Sequence, residues 1–598
     1  MSFQIPTMNF FKSFLASCLG SLVAFIVAFF LLFFLLAGLI STAISDGGNN
    51  NKVAINDNSV LHLKLDVPIT EAEIENPFEG LPLPGAGDAT ISLLQFKQVF
   101  KSAASDSKIA GVYLDISVFM SGFATAKEIR ESLLEFRKSG KWVIAYSEVM
   151  TESAYYIASA ADKVYLNPEG DLEFNGLAVE VSFFKKLFDK LEIKPEIFRV
   201  GDFKSAVEPF MLDKMSDANR LQLNELIEGI NNEMIKEIAV SRNIEESKLK
   251  EISDKMMATN LQEAKKLKLV DSLLYYDQVL AELENKLGVT KESDIDFVKY
   301  NKYKKTVTNT KTSENEIAVI VAEGDIMPGK ADPGTIGSTT FAKEIRKARN
   351  SKKVKAIVLR INSPGGSALA SDVMWREVTL AAKEKPVIAS MGDYAASGGY
   401  YLAMGANTIV AEPNTITGSI GVFSVLFDMS SFLGNKIGIT FDEVKTGDVG
   451  ELITVTRPLT EQEKRIWQKR TDAIYETFTS KAAEGRKMNV EDLRKVASGR
   501  VWTGTQGKER GLVDELGGFD DAVKIAAEKA GVADNYKVRF YPKQKTFFEQ
   551  WLSDLEENAK IKVLQDELGE NYKMVEQVKK LKTYQGAQAR MPFELKIH

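Results

Sequence analysis

The chain contains very few of the side chains that most enzymes use to bind metals or to move protons. Its 598 residues include one cysteine, Cys18, so no disulfide forms within the chain. They include two histidines, His62 in an apolar run and His598 at the last position. This scarcity argues against zinc and haem sites. We therefore expect no metal and no cofactor, and a serine nucleophile in this chain needs a base other than histidine.

Long runs of positive charge are also absent. The formal net charge is −6 and no long block of lysine or arginine occurs, which argues against nucleic acid as a partner. The composition, 44% apolar and 26% charged, is that of a globular protein, and the length is sufficient for two or more domains.

Charge is missing altogether from one stretch near the N terminus. No charged residue lies between Lys12 and Asp46, and residues 22–40 are almost wholly apolar. A membrane-spanning helix needs about 20 apolar residues, whereas the apolar core of a cleaved signal peptide has about 7–15. Residues 13–45 are therefore predicted to be an uncleaved single-pass anchor. Because Lys12 precedes it, residues 1–12 are predicted to be cytoplasmic and the rest exported.

The remaining chain contains an internal repeat. Residues 139–177 match residues 383–422, and the tyrosine pair 155–156 aligns with the pair 400–401 at an offset of 245. In both copies short β-rich segments alternate with amphipathic helical patterns. This alternation predicts an α/β fold with βαβ units around largely parallel sheets.

The repeat also predicts the domain organisation. We expect a first copy at residues 55–298, a polar linker at 299–316 and a second copy at 317–542. Residues 543–598 are charged and their pattern predicts helix. They contain no third copy, and the sequence assigns them no role.

The two copies differ at residues that carry chemistry. Ser397, in "AASGGYY", precedes two glycines and an apolar helix, but the first copy has Glu152 at that position. Lys204, in "FRVGDFKSAVEPF", aligns with Gly450 of the second copy. In a pseudo-twofold arrangement each copy would supply one member of a single site. A lysine whose pKa is lowered by burial can act as general base, so no histidine is required.

Each of these features also has a purely structural explanation. Ser397 can be a helix N-cap and nothing more, since serine is common there. Lys204 can be one more solvated lysine. The turn "INSPGGSA", residues 361–368, is absent from the first copy. Its glycines would let a backbone amide approach a substrate closely, but the same sequence is also typical of an ordinary tight turn.

The motifs "INSPGG", "AASGGYYLAMGA", "TGSIGV" and "VGDFKSAVEPF" together resemble the signal peptide peptidase A family of the long, two-repeat bacterial type. The resemblance extends from the apolar stretch through both copies. It implies two domains like those of Clp proteases and crotonases behind an N-terminal transmembrane helix. It also implies a homotetramer at the bacterial inner membrane, single-pass, with the catalytic domains on the periplasmic or extracytoplasmic side.

The resemblance further implies roles for individual residues. Ser397 would be the nucleophile and Lys204 the general base of a Ser-Lys dyad. Ser419, in "TGSIGV", would hold the lysine amine by a hydrogen bond, although a serine there is also an ordinary turn residue.

The implied oxyanion hole consists of the backbone amides of Gly366 and Gly398, with Gly365 as a further candidate. The implied function is that of a membrane-anchored serine endopeptidase that degrades apolar peptides, in particular signal peptides left after the release of exported proteins. Its expected partners are these peptides and the lipid bilayer, through residues 13–45.

Two other functions stay open on the sequence. A crotonase-like acyl-CoA enzyme would use the same two amides around a thioester and would need neither the serine nor the lysine. A non-catalytic membrane scaffold would use the repeats only for assembly, and a serine-directed fluorophosphonate would leave its Ser397 unlabelled.

Overall fold

The computed structural model describes residues 54–72, 90–307, 312–330, 334–541 and 586–591, together with residues 14, 19–28 and 30–31. The chain divides into two units, residues 1–56 and 57–598. In the first unit residues 19–28 are helical. Among the described residues no helix has both the length and the apolar character needed to cross a membrane. Most of the predicted anchor, residues 13–45, lies outside the described residues.

The first copy is built on a six-stranded parallel sheet. Along the sheet the strands follow the order β8-β6-β5-β4-β1-β9. The strands of this copy are β1 (Ser59–Lys64), β2 (Ile69–Thr70), β3 (Ile91–Ser92), β4 (Ile109–Asp115), β5 (Trp142–Met150), β6 (Lys163–Leu172), β7 (Lys194–Val200), β8 (Ser272–Leu273) and β9 (Phe297–Lys299).

The second copy repeats this order in a sheet of eight strands. Its series β21-β10-β13-β15-β16-β20 is parallel throughout, and β17 and β19 extend it beyond β15. The strands of this copy are β10 (Glu316–Glu323), β11 (Asp325–Met327), β12 (Thr335–Gly337), β13 (Val354–Ser363), β14 (Gly365–Ser367), β15 (Val387–Ala396), β16 (Thr408–Ala411), β17 (Ile416–Gly418), β18 (Val422–Asp428), β19 (Val501–Thr503), β20 (Glu515–Leu516) and β21 (Lys537–Tyr541). The last described strand, β22 (Gly586–Arg590), follows the second copy.

Helices connect the parallel strands, as βαβ units require. The first copy contains α1 (Leu93–Ser105), α2 (Phe123–Lys138), α3 (Glu152–Ala158), α4 (Lys185–Leu191), α5 (Glu208–Met211), α6 (Asp217–Arg242), α7 (Glu246–Asp254), α8 (Leu261–Lys266), α9 (Tyr276–Leu287) and α10 (Tyr300–Lys304). The second contains α11 (Ser338–Asn350), α12 (Ala368–Ala382), α13 (Gly398–Ala403), α14 (Glu461–Arg486), α15 (Val490–Val496), α16 (Gly504–Glu509) and α17 (Phe519–Lys529).

Local sequence accounts for these elements. The central strands β10 and β13 are rich in valine and isoleucine and are buried on both faces, which is typical of a parallel sheet covered by helices. The 26-residue helix α14 begins at a capping box, in which Thr460 accepts from the backbone of Glu463 and Glu463 accepts from that of Thr460. The equally long α6 begins at the N-cap Ser216.

A third sheet joins the two copies. Its order is β12-β11-β14-β22-β18-β7, so that β7 of the first copy pairs along its whole length with β18 of the second. This pairing is antiparallel and aligns Val200 with Val422 and Lys194 with Asp428. Because β7 leads directly into the segment that holds Lys204, the third sheet carries that segment into the second copy.

Two predicted segments differ from the structure. The predicted linker 299–316 includes α10, whose Tyr300 and Tyr303 are buried, because Tyr300 stacks on Phe96 and Tyr303 donates to Asp106 of the first copy. The sequence pattern of residues 543–598 predicts helix, yet Gly586–Arg590 form β22. This strand pairs on both sides with backbone of the second copy, and such distant partners override a local helical pattern.

A buried ion network also links the copies. The guanidinium of Arg360 donates to Glu71 at 2.8 and 3.0 Å and lies 2.7 Å from Glu128, and all three side chains are fully buried. Glu128 in turn accepts from Lys97 at 2.8 Å. Burial alone would raise the pKa of Glu128, but Arg360 and Lys97 outweigh it and hold that pKa at about 2. One cation from the second copy thus compensates two carboxylates from the first.

Replacing Arg360 by methionine is expected to destabilise the protein by about 3–5 kcal/mol, because buried Glu71 loses its counter-charge and buried Glu128 keeps only Lys97. Urea denaturation followed by circular dichroism measures this loss. The matched control is Lys101→Met, which removes an exposed ion pair between the copies, with Asp520. That change should cost less than about 1 kcal/mol. Equal losses for the two variants would contradict the account.

Candidate active site

Ser397 occupies a strained turn between β15 and α13. Its φ is +54° and its ψ is −108°, a conformation that residues other than glycine rarely adopt. Its backbone N–H donates to Gly418 at 2.8 Å, which fixes the turn on β17. The hydroxyl makes no N-cap hydrogen bond to α13. The N-cap explanation of this serine is therefore wrong, and its Oγ is left for another partner.

That partner is Lys204 of the first copy. The side chain of Lys204 is fully buried, and its Nζ lies 2.9 Å from Ser397 Oγ. The same Nζ lies 3.0 Å from Ser419 Oγ and 3.2 Å from the carbonyl oxygen of Ser419. The solvated-lysine explanation is therefore wrong as well. The structure brings together three of the predicted site residues.

Burial sets the charge of this lysine. It lowers the pKa of Lys204 well below the ordinary value of 10.5, and no carboxylate among the described residues opposes that effect. A neutral amine has two N–H donors and one lone pair. In that state two donors suffice for the two oxygens of Ser419, and the lone pair would face the hydroxyl of Ser397. The three contacts are thus compatible with a neutral lysine.

The loop at residues 498–500 closes the site behind Lys204. Gly499 has a φ of +79°, and a Cβ built on it would lie 2.6 Å from the Cβ of Lys204, so only glycine fits. The carbonyl of Gly499 accepts from Ser419 Oγ at 3.2 Å, which orients that hydroxyl toward the lysine. Sequence reasoning missed Gly499, and the short string "ASGR" around it contains no signal beyond one glycine.

The glycines of the turn 361–368 lie beside the strained serine. Gly365 has a φ of +104° and approaches the Ser397 turn so closely that its Cβ would lie 2.7 Å from the amide nitrogen of Gly398. Gly366 packs on the backbone of Ile326, where a Cβ would lie 2.2 Å from the carbonyl oxygen. The two amide-bearing turns named as oxyanion candidates are therefore neighbours.

The first copy fills the equivalent position with a different interaction. The carboxylate of Glu152 accepts the backbone N–H groups of Asn175 and Gly176 at 3.0 and 2.8 Å. Burial raises the pKa of Glu152 to about 7, although these two hydrogen bonds favour the charged form. At the offset of the repeat, Phe174 stands where the second copy has Ser419. The first copy thus lacks both serines and contributes only the lysine.

No cluster of three or more histidine, cysteine or acidic side chains in the described part of the chain is arranged to hold a metal ion.

Comparison with known proteins gives consistent matches. The model of Peptidase family S49 matches twice, at residues 135–290 and 379–533. "Serine protease SPPA, chloroplastic" of Arabidopsis thaliana is 39% identical over 459 residues, which cover 75% of this chain and 67% of that protein. "Protease 4" of Salmonella typhi is 40% identical over 450 residues, covering 73% and 72%. "Protease 4" of Haemophilus influenzae is 34% identical over 480 residues, covering 78% and 76%.

Among solved structures, a ClpP1 mutant from Listeria monocytogenes covers 34% of this chain at 16% identity, with a TM-score of 0.24. The α/β architecture with two copies therefore stands on the strand order of the chain itself.

The stability of the wild-type protein relative to Lys204→Met is expected to rise with pH. The folded chain holds this lysine at a lowered pKa, whereas the unfolded chain has the ordinary value near 10.5. Between those two values the unfolded chain binds more protons, so raising the pH favours folding by about 1.4 kcal/mol per unit. Urea denaturation of both proteins over a pH series measures the difference. A difference that stays flat or falls across that window would contradict a buried neutral lysine.

Proposed function

Because the chain belongs to peptidase family S49, we propose that it is a membrane-anchored endopeptidase in which Ser397 is the nucleophile and Lys204 the general base. The family membership itself makes the chain a serine peptidase. The observation that carries the assignment of residues is the 2.9 Å contact between Lys204 Nζ and Ser397 Oγ in a fully buried environment.

The proposed reaction begins with a proton transfer. Neutral Lys204 accepts the proton of Ser397 Oγ while that oxygen attacks the carbonyl carbon of a peptide bond. The protonated amine then passes the proton to the leaving nitrogen, and the C–N bond breaks. Water, activated by the same lysine, releases the acyl group and restores Ser397. In this reaction Ser419 is a positioning residue, since its two oxygens fix the amine.

The negative charge of the tetrahedral intermediate needs two hydrogen-bond donors. We assign these donors to the amides of Gly366 and Gly398, because their two turns are in contact. Gly365 contributes the close approach: only a residue without Cβ fits beside Gly398. Each donor of this kind is worth about 2.7–4 kcal/mol in other proteases.

The proposed substrates are apolar peptides, in particular signal peptides. Support comes from a relative in Enterococcus faecium named "Putative signal peptide peptidase SppA", which is 30% identical over 215 residues. The anchor at residues 13–45 would hold the site near such peptides at the bacterial inner membrane, on the extracytoplasmic side. The two copies are proposed to have the Clp and crotonase type of fold.

A homotetramer is proposed because one exposed segment pairs with no strand among the described residues. Residues 440–446 align with β7, which pairs with β18, but no described strand pairs with 440–446. The side chains of Phe441 and Val444 in this segment are 52% and 100% exposed. A second subunit that offers its first copy would cover them in the way that β18 covers β7, and repetition of this contact closes a ring.

The peptidase assignment accounts for both the serine and the lysine, whereas the acyl-CoA enzyme and the scaffold do not. An acyl-CoA enzyme would leave the buried lysine without a task, and a scaffold would not need a strained serine within hydrogen-bond distance of it. Absence of both peptide hydrolysis and fluorophosphonate labelling would favour the scaffold.

The experiment is hydrolysis of an apolar, signal-peptide-like fluorogenic peptide by the detergent-solubilised full chain. Ser397→Ala is expected to lower kcat by about 10⁴-fold or more and Lys204→Met by about 10²–10⁴-fold. Ser419→Ala should lower kcat with KM nearly unchanged, because it acts through the lysine. The control Ser153→Ala, a half-buried serine of the first copy, should retain wild-type activity. Wild-type rates in Lys204→Met would overturn the assignment of the base.

A further inference from the structure

A buried amide side chain lies beside the segment that carries Lys204. Gln222, on α6, is almost fully buried. Its Nε2 lies 3.1 Å from the carbonyl oxygen of Phe203 and 2.7 Å from Ser205 Oγ. Phe203 and Ser205 are the residues immediately before and after Lys204 in the chain. One side chain therefore holds the lysine segment on both sides of the lysine.

The same amide also contacts the second copy, next to the loop at residues 498–500 that closes the site. Val501 N–H donates to Gln222 Oε1 at 3.4 Å. Val501 follows directly after that loop, in which Gly499 packs against the Cβ of Lys204. The lysine segment and the loop come from different copies. Gln222 thus joins two walls of the lysine pocket through the two ends of one amide group.

A series of hydrogen bonds fixes the direction in which this amide points. The buried carboxylate of Glu208 accepts from Asn219 Nδ2 at 3.0 Å and from the hydroxyl of Ser216 at 2.5 Å. A carboxylate offers only acceptors, so Asn219 turns its NH2 group to Glu208 and its oxygen to Gln222. Asn219 Oδ1 lies 3.1 Å from Gln222 Nε2. The NH2 group of Gln222 is thereby kept on the side of the Phe203 carbonyl.

The charged side chains around this amide pair with one another. Arg500 forms an ion pair with Glu225, and Arg199 lies 4.0 Å from Glu208. Among the described residues, burial is what lowers the pKa of Lys204, and no charged group contributes. Water that reached the amine would therefore raise this pKa toward its ordinary value. Keeping water out depends on how closely the lysine segment and the closing loop are held together.

We propose that Gln222 is a positioning residue of the dyad, which holds the lysine segment against the closing loop so that the amine of Lys204 stays beside Ser397. This inference rests on the proposed function, because it concerns the same lysine. Gln222 acts through its hydrogen-bond partners Phe203 and Ser205. A displacement of about 1 Å at a reacting group can cost about 10²-fold in rate, so a loosened segment would slow the reaction.

Two substitutions separate the possible contributions of this side chain. Methionine has a similar length but offers no strong donor or acceptor, so Gln222→Met removes the hydrogen bonds. Glutamate has the same shape but only accepts, so Gln222→Glu sets a carboxylate against the oxygens of Phe203 and Asn219. A negative charge at that position also favours the protonated form of Lys204.

The test is hydrolysis of the fluorogenic peptide over a pH series by the wild-type full chain and the two variants. Gln222→Met is expected to lower kcat by about 10- to 100-fold with KM nearly unchanged, because the lysine is displaced and the substrate contacts are not. The acid limb of the kcat/KM profile reports protonation of the base. It should move to higher pH in both variants, a shift that a merely structural role would not produce.

The matched control is Gln506→Met, which removes an amide from the same contact between the copies. Gln506 Nε2 donates to the carbonyl of Glu225 on α6 at 3.2 Å, and its Oε1 accepts from Thr503 N–H at 3.1 Å. Neither partner belongs to the lysine segment. This variant should lose stability in urea denaturation but keep the wild-type kcat and the wild-type acid limb.

The outcomes separate this inference from the proposed function. Wild-type kcat and an unmoved acid limb in Gln222→Met overturn the positioning role and leave the peptidase intact. Equal losses of kcat in Gln222→Met and Gln506→Met overturn it too, since the effect is then one of general stability. Gln222→Glu keeps the shape of the side chain and tests the acid limb where the methionine variant does not fold. A wild-type chain that hydrolyses no peptide overturns the proposed function itself.

Discussion

Desolvation of one amine is the constraint on which the rest of this structure depends. A lysine in contact with water keeps its proton at neutral pH and cannot accept one from a serine. Lys204 loses its water because neighbouring segments of both copies enclose it, with Gly499 packed against its Cβ. In the described part of the chain no carboxylate opposes this effect. Burial away from water is thus the feature that would let this lysine replace a histidine as the proposed base.

Because Lys204 must stay out of contact with water, the two copies have to be held in one arrangement. The lysine comes from the first copy and both serines from the second, so a small separation would admit water and recharge the amine. The pairing of β7 with β18 fixes the approach of the lysine segment. The network around Arg360 fixes the same two copies at a second place, with charges that are themselves buried. Both contacts are specific in register and therefore favour a single arrangement.

Much of this arrangement follows from the sequence, and the remainder depends on distant contacts. The repeat revealed that Lys204 and Ser397 have no counterparts in the other copy, which is the pattern of one shared site. Their 2.9 Å separation agrees with that expectation, while their catalytic roles stay predictions. The contact of Gly499 with Lys204 and the pairing of β22 with β14 were not predictable, because in each case the partner is more than 200 residues away. Local patterns contain no information about such partners.

The most direct test of the central claim is a double-mutant cycle on peptide hydrolysis, with Ser397→Ala, Lys204→Met and the double variant. If the two residues form one catalytic unit, the double variant retains the same residual kcat/KM as the slower single variant, because either change alone abolishes the reaction path. If the losses of the single variants multiply in the double variant, the residues act independently. That result would contradict a dyad assembled from the two copies.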